Sequence, residues 1–275
     1  MDYSYFPRHQ VLCIDMRSFY ASIECVKRGL DPMNAMLAVV GDKKRSGSII
    51  LAASPALKER YGISNVSRYF ELPKDPQIHV VQAKMGDYVR VSIEITRLLY
   101  QYVPKEAIHP YSVDEMWITV DGLEPLYGSA EQIAQMIKDE ILDTMGLTCA
   151  IGIGDNKFLA KVVMDLYAKK KGIATCRYED VPQLLWPVPI EKIWGIGKRL
   201  THHLNRMGIL YLEQLANYPL ERLKKRFGVM GEQLYWHAWG VDLSPVYQNF
   251  ESIEEQKGFS HGITLLRDYT AEEAL

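Results

Sequence analysis

Short apolar runs that meet carboxylates at their ends constrain this chain most. VLCID (11–15) reads as a buried strand that ends on Asp15. Asp114 and Glu115 open a second strand, in which Met116, Ile118 and Val120 alternate with amphipathic neighbours. An acid at the mouth of an apolar strand is costly unless a cation compensates it. Three carboxylates brought together would repel one another and raise their pKa values unless a divalent cation lay between them. Spacing alone does not say that the two places meet. An Asp-Glu pair beside a strand is also an ordinary surface turn or helix cap.

The rest of the first 176 residues alternates strands and helices without a regular β-α-β series. Strands are expected at 36–40, 48–53, 78–82 and 147–153. Ser54-Pro55 opens a helix that Gly62 closes. Asp87 is expected to cap a helix carrying the stripe Tyr88, Val91, Ile95, Leu98 and Tyr102. Ser129 and Gln132 have capping-box spacing, and Gly146 ends that helix. Asp155 is expected to cap a helix running to about Lys170. The pattern predicts an α+β fold with a mixed or antiparallel sheet. After Glu179 short helices joined by Gly and Pro predict a second, all-α domain. Residues 243–257 read as a linker, and GFSHGITLLRDY (258–269) as a lone strand of a further domain.

Charge distribution matters more here than the net charge of −2. Residues 156–177 hold six cations against one acid, and 191–226 hold eight against three. Two basic stretches are compatible with a phosphate footprint and also with solvated helix faces. The loop GDKKRSGS (41–48) is polar and basic. Cys13, Cys25, Cys149 and Cys176 form no C-x-x-C pair, which points to reduced thiols and no zinc site. No run approaches the roughly 20 apolar residues of a membrane span, and the N-terminus lacks a secretory pattern. A cytoplasmic location with no membrane partner is expected.

Four segments carry a family resemblance. CIDMRSFYASIE (13–24), SVDEMWITV (112–120), AIGIGDNKFLAKVVMDLYAKKKG (150–172) and WGIGKRLTHHLNRMGI (194–209) stand in the order of the Y-family DNA polymerase motifs. The chain resembles the amino-terminal catalytic part of a bacterial, UmuC/DinB-like member of that family. The resemblance implies a palm (1–18 and 86–176), small α/β fingers (19–85), an all-α thumb with a helix-hairpin-helix (177–242), and a truncated start of a little finger at 258–275. It implies error-prone, template-directed translesion synthesis from dNTPs on primer-template DNA. It also implies a sliding-clamp contact through a region not present here.

Residue by residue, the resemblance makes Asp15, Asp114 and Glu115 the ligands of two Mg²⁺ ions, which Mn²⁺ can replace. Met16 adds its carbonyl. Phe19 and Tyr20 match the steric gate, with Phe19 also reading as core. Lys169 matches the triphosphate lysine, while Lys161 on the same helix reads as structural. The fingers depart from the family. SPALKERYG lacks the expected Tyr, and the phosphate-gripping cation falls to Lys58 or Arg60. Gly195, Gly197, Lys198 and Arg199 form the hairpin expected to hold DNA backbone. Two other readings fit parts of the pattern: a palm-type cyclase or phosphotransferase, and a DNA-binding relative without chemistry.

Overall fold

A computed structural model describes residues 1–248 and residues Gly258, Ser260, Thr270, Glu272 and Glu273. The expected lone strand at 258–269 and most of the expected linker lie outside the described residues. Residues 243–248 fold back on the main sheet. Val246 is buried against Trp117, and its carbonyl accepts from the Thr119 hydroxyl at 3.2 Å.

The main sheet has the order β5-β6-β1-β7-β8. Its strands are β1 (Val11–Met16), β5 (Ile108–Pro110), β6 (Glu115–Thr119), β7 (Cys149–Gly154) and β8 (Ile173–Cys176). Only the β7–β8 pairing is parallel, so the sheet is mixed. A smaller sheet, β3-β2-β4, is built from β2 (Leu37–Val40), β3 (Ile50–Ala53) and β4 (His79–Gln82). Short helices fill the region after Tyr178. They enclose their own core, including Leu204, Leu212, Leu223 and Leu234. The fold is α+β.

Strand alternation divides the main sheet's two faces. Leu12, Ile14 and Met16 enter one core with α1 (Phe19–Val26), α3 (Met85–Leu99) and the helix Ala130–Met145. Val11, Cys13 and Trp117 face the helix that begins at Lys157. That helix sits unusually close because β7 carries glycines. A Cβ on Gly152 would lie 2.1 Å from the Ala160 carbonyl, and one on Gly154 would lie 2.5 Å from the Ala160 nitrogen. Close approach brings the helix's lysines over the carboxylate end of β1.

Several terminators form as read. Gly62 and Gly146 are left-handed C-caps, and Ser129 with Gln132 makes a reciprocal capping box. Two caps differ. Asn156, not Asp155, caps the Lys157 helix by accepting from Leu159 N. Asp155 instead accepts from Tyr178 N at 2.8 Å and pairs with Arg177 at 3.2 Å, tying the strand end to the following segment. Asp87 lies in the first turn of α3 rather than at its cap, where it meets Lys27 at 2.5 Å.

Candidate active site

Antiparallel pairing of β1 with β6 sets Asp15 directly opposite Glu115. Directly opposed residues share one face of a sheet, so both side chains project to the side covered by the Lys157 helix. Asp114 precedes β6, and its carbonyl accepts from Met16 N at 2.9 Å. The two acidic places in the sequence are therefore one place in the fold.

A pocket of about 630 Å³ opens there. Asp15, Asp114, Tyr20, Lys58 and Lys169 all line it, as do Met16 and Phe19. Its floor is the turn from β1 into α1. Ser18 in that turn has φ 45°, the one positive φ outside glycine among the described residues. A left-handed residue with a Cβ costs about 1–2 kcal/mol. Strain of this kind persists where surrounding contacts over-determine it. Here the Ser18 hydroxyl accepts from Lys58 Nζ at 3.1 Å, and Ser22 N bonds the Ser18 carbonyl at 2.9 Å.

Charges alternate around the carboxylates. Lys161 Nζ lies 2.7 and 2.8 Å from the two Glu115 oxygens. It also meets Asp165 at 3.1 Å. Asp165 pairs with Lys169 at 2.7 Å, and Lys169 lies 3.5 Å from Asp15. Burial pushes Asp15 up to about 6; Lys169 opposes that rise, while Glu115 and Asp114 add to it. Burial alone would lower Lys169 and Lys161, but their carboxylate partners outweigh it and hold both above the ordinary lysine value. Lys58 forms no ion pair among the described residues and is lowered, first by burial and then by Lys169, with Asp15 opposing.

The sign of the Asp15 shift gives a test on the metal-free protein. A carboxyl raised on folding binds more protons in the folded state, so its contribution to stability falls as pH rises from about 4 to above 6. Asp15→Asn is expected to gain stability relative to the parent at pH 7.5 and not at pH 4, measured by urea unfolding with a chelator present. Equal differences at both pH values would contradict the burial of this charge.

Tyr20 stacks on Tyr88 with centroids 4.4 Å apart and planes 13° from parallel. Tyr88 is fully buried, and its hydroxyl donates to Glu24 at 3.0 Å, so the Tyr20 ring is held from behind. Burial, then the Asp114 charge, raises the Tyr20 hydroxyl. Phe19 is buried in the core and also lines the pocket.

The structure does not bring Arg60 to this pocket. Arg60 turns to Gln77 Oε1 at 3.4 Å and lies over the Tyr61 ring. Positions 58 and 60 are about 200° apart around a helix, so only one can face the site. Glu115 is not among the residues that line the pocket; its two oxygens face Lys161. Among the described residues no three Asp, Glu, His or Cys side chains converge as a closed metal shell. The donor set still suits a hard divalent cation in kind. Carboxylates on neighbouring strands with a backbone carbonyl nearby are what Mg²⁺ takes. Their mutual repulsion, visible in Asp15, is what such an ion would relieve.

Gly195, Gly197, Lys198 and Arg199 are brought together elsewhere. Gly195 has φ 88°, and Gly197 is the N-cap of the helix Lys198–Arg206. The turn is exposed, with open space around both glycines. Its backbone N–H groups can approach a phosphate.

Sequence reading missed Ser18 and Asn65 as pocket residues, and the role of Asp165. Asp165 had a legible signal: Lys161, Asp165 and Lys169 recur at four-residue spacing. The helix there widens into a π-turn, Met164–Ala168, a feature often found at functional sites.

Residues 14–165 match the impB/mucB/samB family model, and 191–242 match the thumb domain of DNA polymerase-iota. The chain is 49% identical, over its whole length, to the putative UV-damage repair protein UvrX of Bacillus subtilis. It is 39% identical over 94% of its length to DNA polymerase IV 2 of the same organism. It spans 65% and 62% of the lengths of those two relatives. The structure of DinB from Sulfolobus solfataricus superimposes with a TM-score of 0.73 at 25% identity, covering 86% of this chain and 69% of that one. Among the described residues no helix is long and apolar enough to cross a membrane.

Proposed function

The chain belongs to the impB/mucB/samB family, and from that premise we propose that it is the catalytic part of an error-prone, translesion DNA polymerase. The reaction is template-directed transfer of a nucleotide from a dNTP to a primer 3′-hydroxyl. The observation that carries this reading is the β1–β6 register. It sets Asp15 opposite Glu115 and beside Asp114, at a pocket that also presents Tyr20, Lys58 and Lys169. Residues 1–18 and 86–176 serve as palm, 19–85 as fingers and 177–242 as thumb. A region outside this chain would supply any sliding-clamp contact.

Asp15, Asp114 and Glu115, with the Met16 carbonyl, would hold Mg²⁺ or Mn²⁺. Bound there, the ions would acidify the primer hydroxyl and offset charge on the leaving phosphate. The protein's own part is positioning and charge. Lys169 and Lys58 face one pocket from the palm and the fingers, so a triphosphate between them meets cations on two sides. Lys161 pairs with both Glu115 oxygens in a buried place and fixes where that carboxylate stands. The Gly195–Gly197 turn holds DNA backbone without reading its sequence.

Tyr20 is the sugar gate. Its ring cannot retreat, because Tyr88 backs it at 4.4 Å. A 2′-hydroxyl above that ring would collide with it. Tyr20→Ala is expected to raise ribonucleotide insertion relative to deoxynucleotide insertion by roughly 100-fold or more, since rejection by overlap is worth several kcal/mol. Single-nucleotide insertion with rNTP and dNTP measures this; an unchanged ratio removes Tyr20 from the gate. The reading as a whole is tested by extension of a primer with only the templated dNTP supplied. A cyclase would consume nucleotide without primer or template.

A further inference from the structure

Trp194 stands directly before the exposed Gly195–Gly197 turn and is half-buried. The apolar residues on either side of it, Ile193 and Ile196, are buried in the core of the short helices. The turn's own backbone bond, donated by Ile196 N to the Ile193 carbonyl at 3.1 Å, is local. These contacts set the turn's shape and seat it on its own domain. They do not set where it stands over the main sheet.

Trp194 does reach that sheet. Its ring meets Trp117 edge to face, with centroids 6.1 Å apart and planes at 71°, and meets Tyr111 at 6.1 Å and 74°. Phe158 lies 6.5 Å away on the Lys157 helix. Trp117 is 5% exposed and stands two residues beyond Glu115 on β6, on the same face. It is itself held, since its Nε1 donates to the Lys157 carbonyl at 3.0 Å and Tyr111 packs on its ring at 5.0 Å. Phe158 stacks in turn on His237 of the helix Val229–Ala238, at 4.1 Å. Edge-to-face rings constrain angle as well as distance. A continuous run of rings thus joins the strand that carries Glu115 to the turn whose N–H groups can approach a phosphate.

We propose that Trp194 is a positioning residue. It sets the height and angle of the Gly195–Gly197 turn relative to β6, so that DNA backbone held by the turn delivers the primer end to the carboxylates. It acts through Trp117 and the turn, not by touching the reacting atoms. The proposal deepens the polymerase reading and rests on it for the primer. Whether Trp194 fixes the turn to the sheet can be tested without it.

The test compares Trp194→Ala, Trp194→Leu and Trp194→Phe in two assays. In the first, spin labels at His202→Cys, exposed on the helix after the turn, and at Asp143→Cys, exposed on the helix Ala130–Met145, report their separation by pulsed electron resonance. DNA, metal and nucleotide are left out. The four native cysteines are buried, so labelling falls on the introduced pair. The parent is expected to give one narrow distance distribution, Trp194→Ala and Trp194→Leu a shifted or broader one, and Trp194→Phe the distribution of the parent. In the second assay, single-turnover extension at saturating primer-template and dNTP is set beside duplex affinity. Displacing reacting groups by about 1 Å costs about 10²-fold in rate, so Trp194→Ala is expected to lose about that much while duplex affinity stays within about threefold. Trp194→Phe, which keeps a ring at the contact, is expected to recover most of the loss. Arg90→Ala, at an exposed position of α3 outside the site, serves as control.

Distance distributions unchanged in Trp194→Ala and Trp194→Leu overturn the proposal. So does a normal rate at saturation, whether or not duplex affinity has fallen, since that pattern belongs to a residue that only shapes the turn. Should Trp194→Ala prove unfolded, Trp194→Leu, which keeps apolar bulk and lacks a ring, decides both assays. Failure of the parent chain on every primer-template would reject the polymerase reading, while the label distances would still decide whether Trp194 fixes the turn to the sheet.

Discussion

Asp114→Ala is expected to reduce templated primer extension by roughly 10³-fold while leaving the unfolding midpoint and duplex binding nearly unchanged. The size follows from removing a carboxylate that would stabilise charge developing at phosphate, a term worth several kcal/mol at about 1.4 kcal/mol per decade. The selectivity follows from what Asp114 touches. Its side chain is partly exposed and accepts from the Ser112 hydroxyl at 2.8 Å. The bond that matters to the sheet is donated by Met16 N to its backbone carbonyl, which alanine keeps. Among the described residues no cation forms an ion pair with it. Single-turnover extension and thermal unfolding, run on the same preparation with the Arg90→Ala control, separate chemistry from folding. Near-normal extension by Asp114→Ala would remove the carboxylate site assignment. A large drop in unfolding midpoint would mean that Asp114 is a structural residue.

Local signals in the sequence served the elements well and the site only in part. Glycine C-caps, the Ser129–Gln132 box and the apolar stripes depend on neighbours within a few residues, and they formed as read. The meeting of Asp15 with Glu115 depends on a pairing a hundred residues apart, so no local pattern could reveal it. Motif order carried that information instead. Asp155 reads as a cap because two adjacent polar residues can each cap a helix; Tyr178 and Arg177 decide between them by claiming Asp155 from the far side. Sequence alone does not divide Lys58 from Arg60, for a simpler reason. The helix phase separates them, but only the tertiary placement of α2 (Pro55–Tyr61) says which side faces the pocket. Lys161 read as structural, and it is buried; what spacing could not show is that its partner is one of the expected metal ligands.

Lys161 therefore carries the largest expected effect on stability. Its side chain is 6% exposed and that of Glu115 10%, with 2.7 Å between them. Lys161→Ala strands a carboxylate under the helix and costs about 3–5 kcal/mol, the price of breaking a buried pair from one side. The unfolding midpoint should fall by on the order of 10 °C for a chain of this size. The reciprocal change, Glu115→Ala, should destabilise similarly, which distinguishes it from Asp114→Ala even though both abolish extension. Replacing both partners together, Lys161→Met with Glu115→Leu, removes two buried charges at once, and such exchanges are often neutral or stabilising by 1–4 kcal/mol. That double variant should recover the midpoint and remain inactive. Recovery of stability without recovery of extension would mean that the pair serves to hold a carboxylate beside the reaction, not to hold the sheet to its helix. A midpoint unchanged in Lys161→Ala would instead show that water or Asp165 takes over the role, and that the charge ladder does not depend on its buried rung.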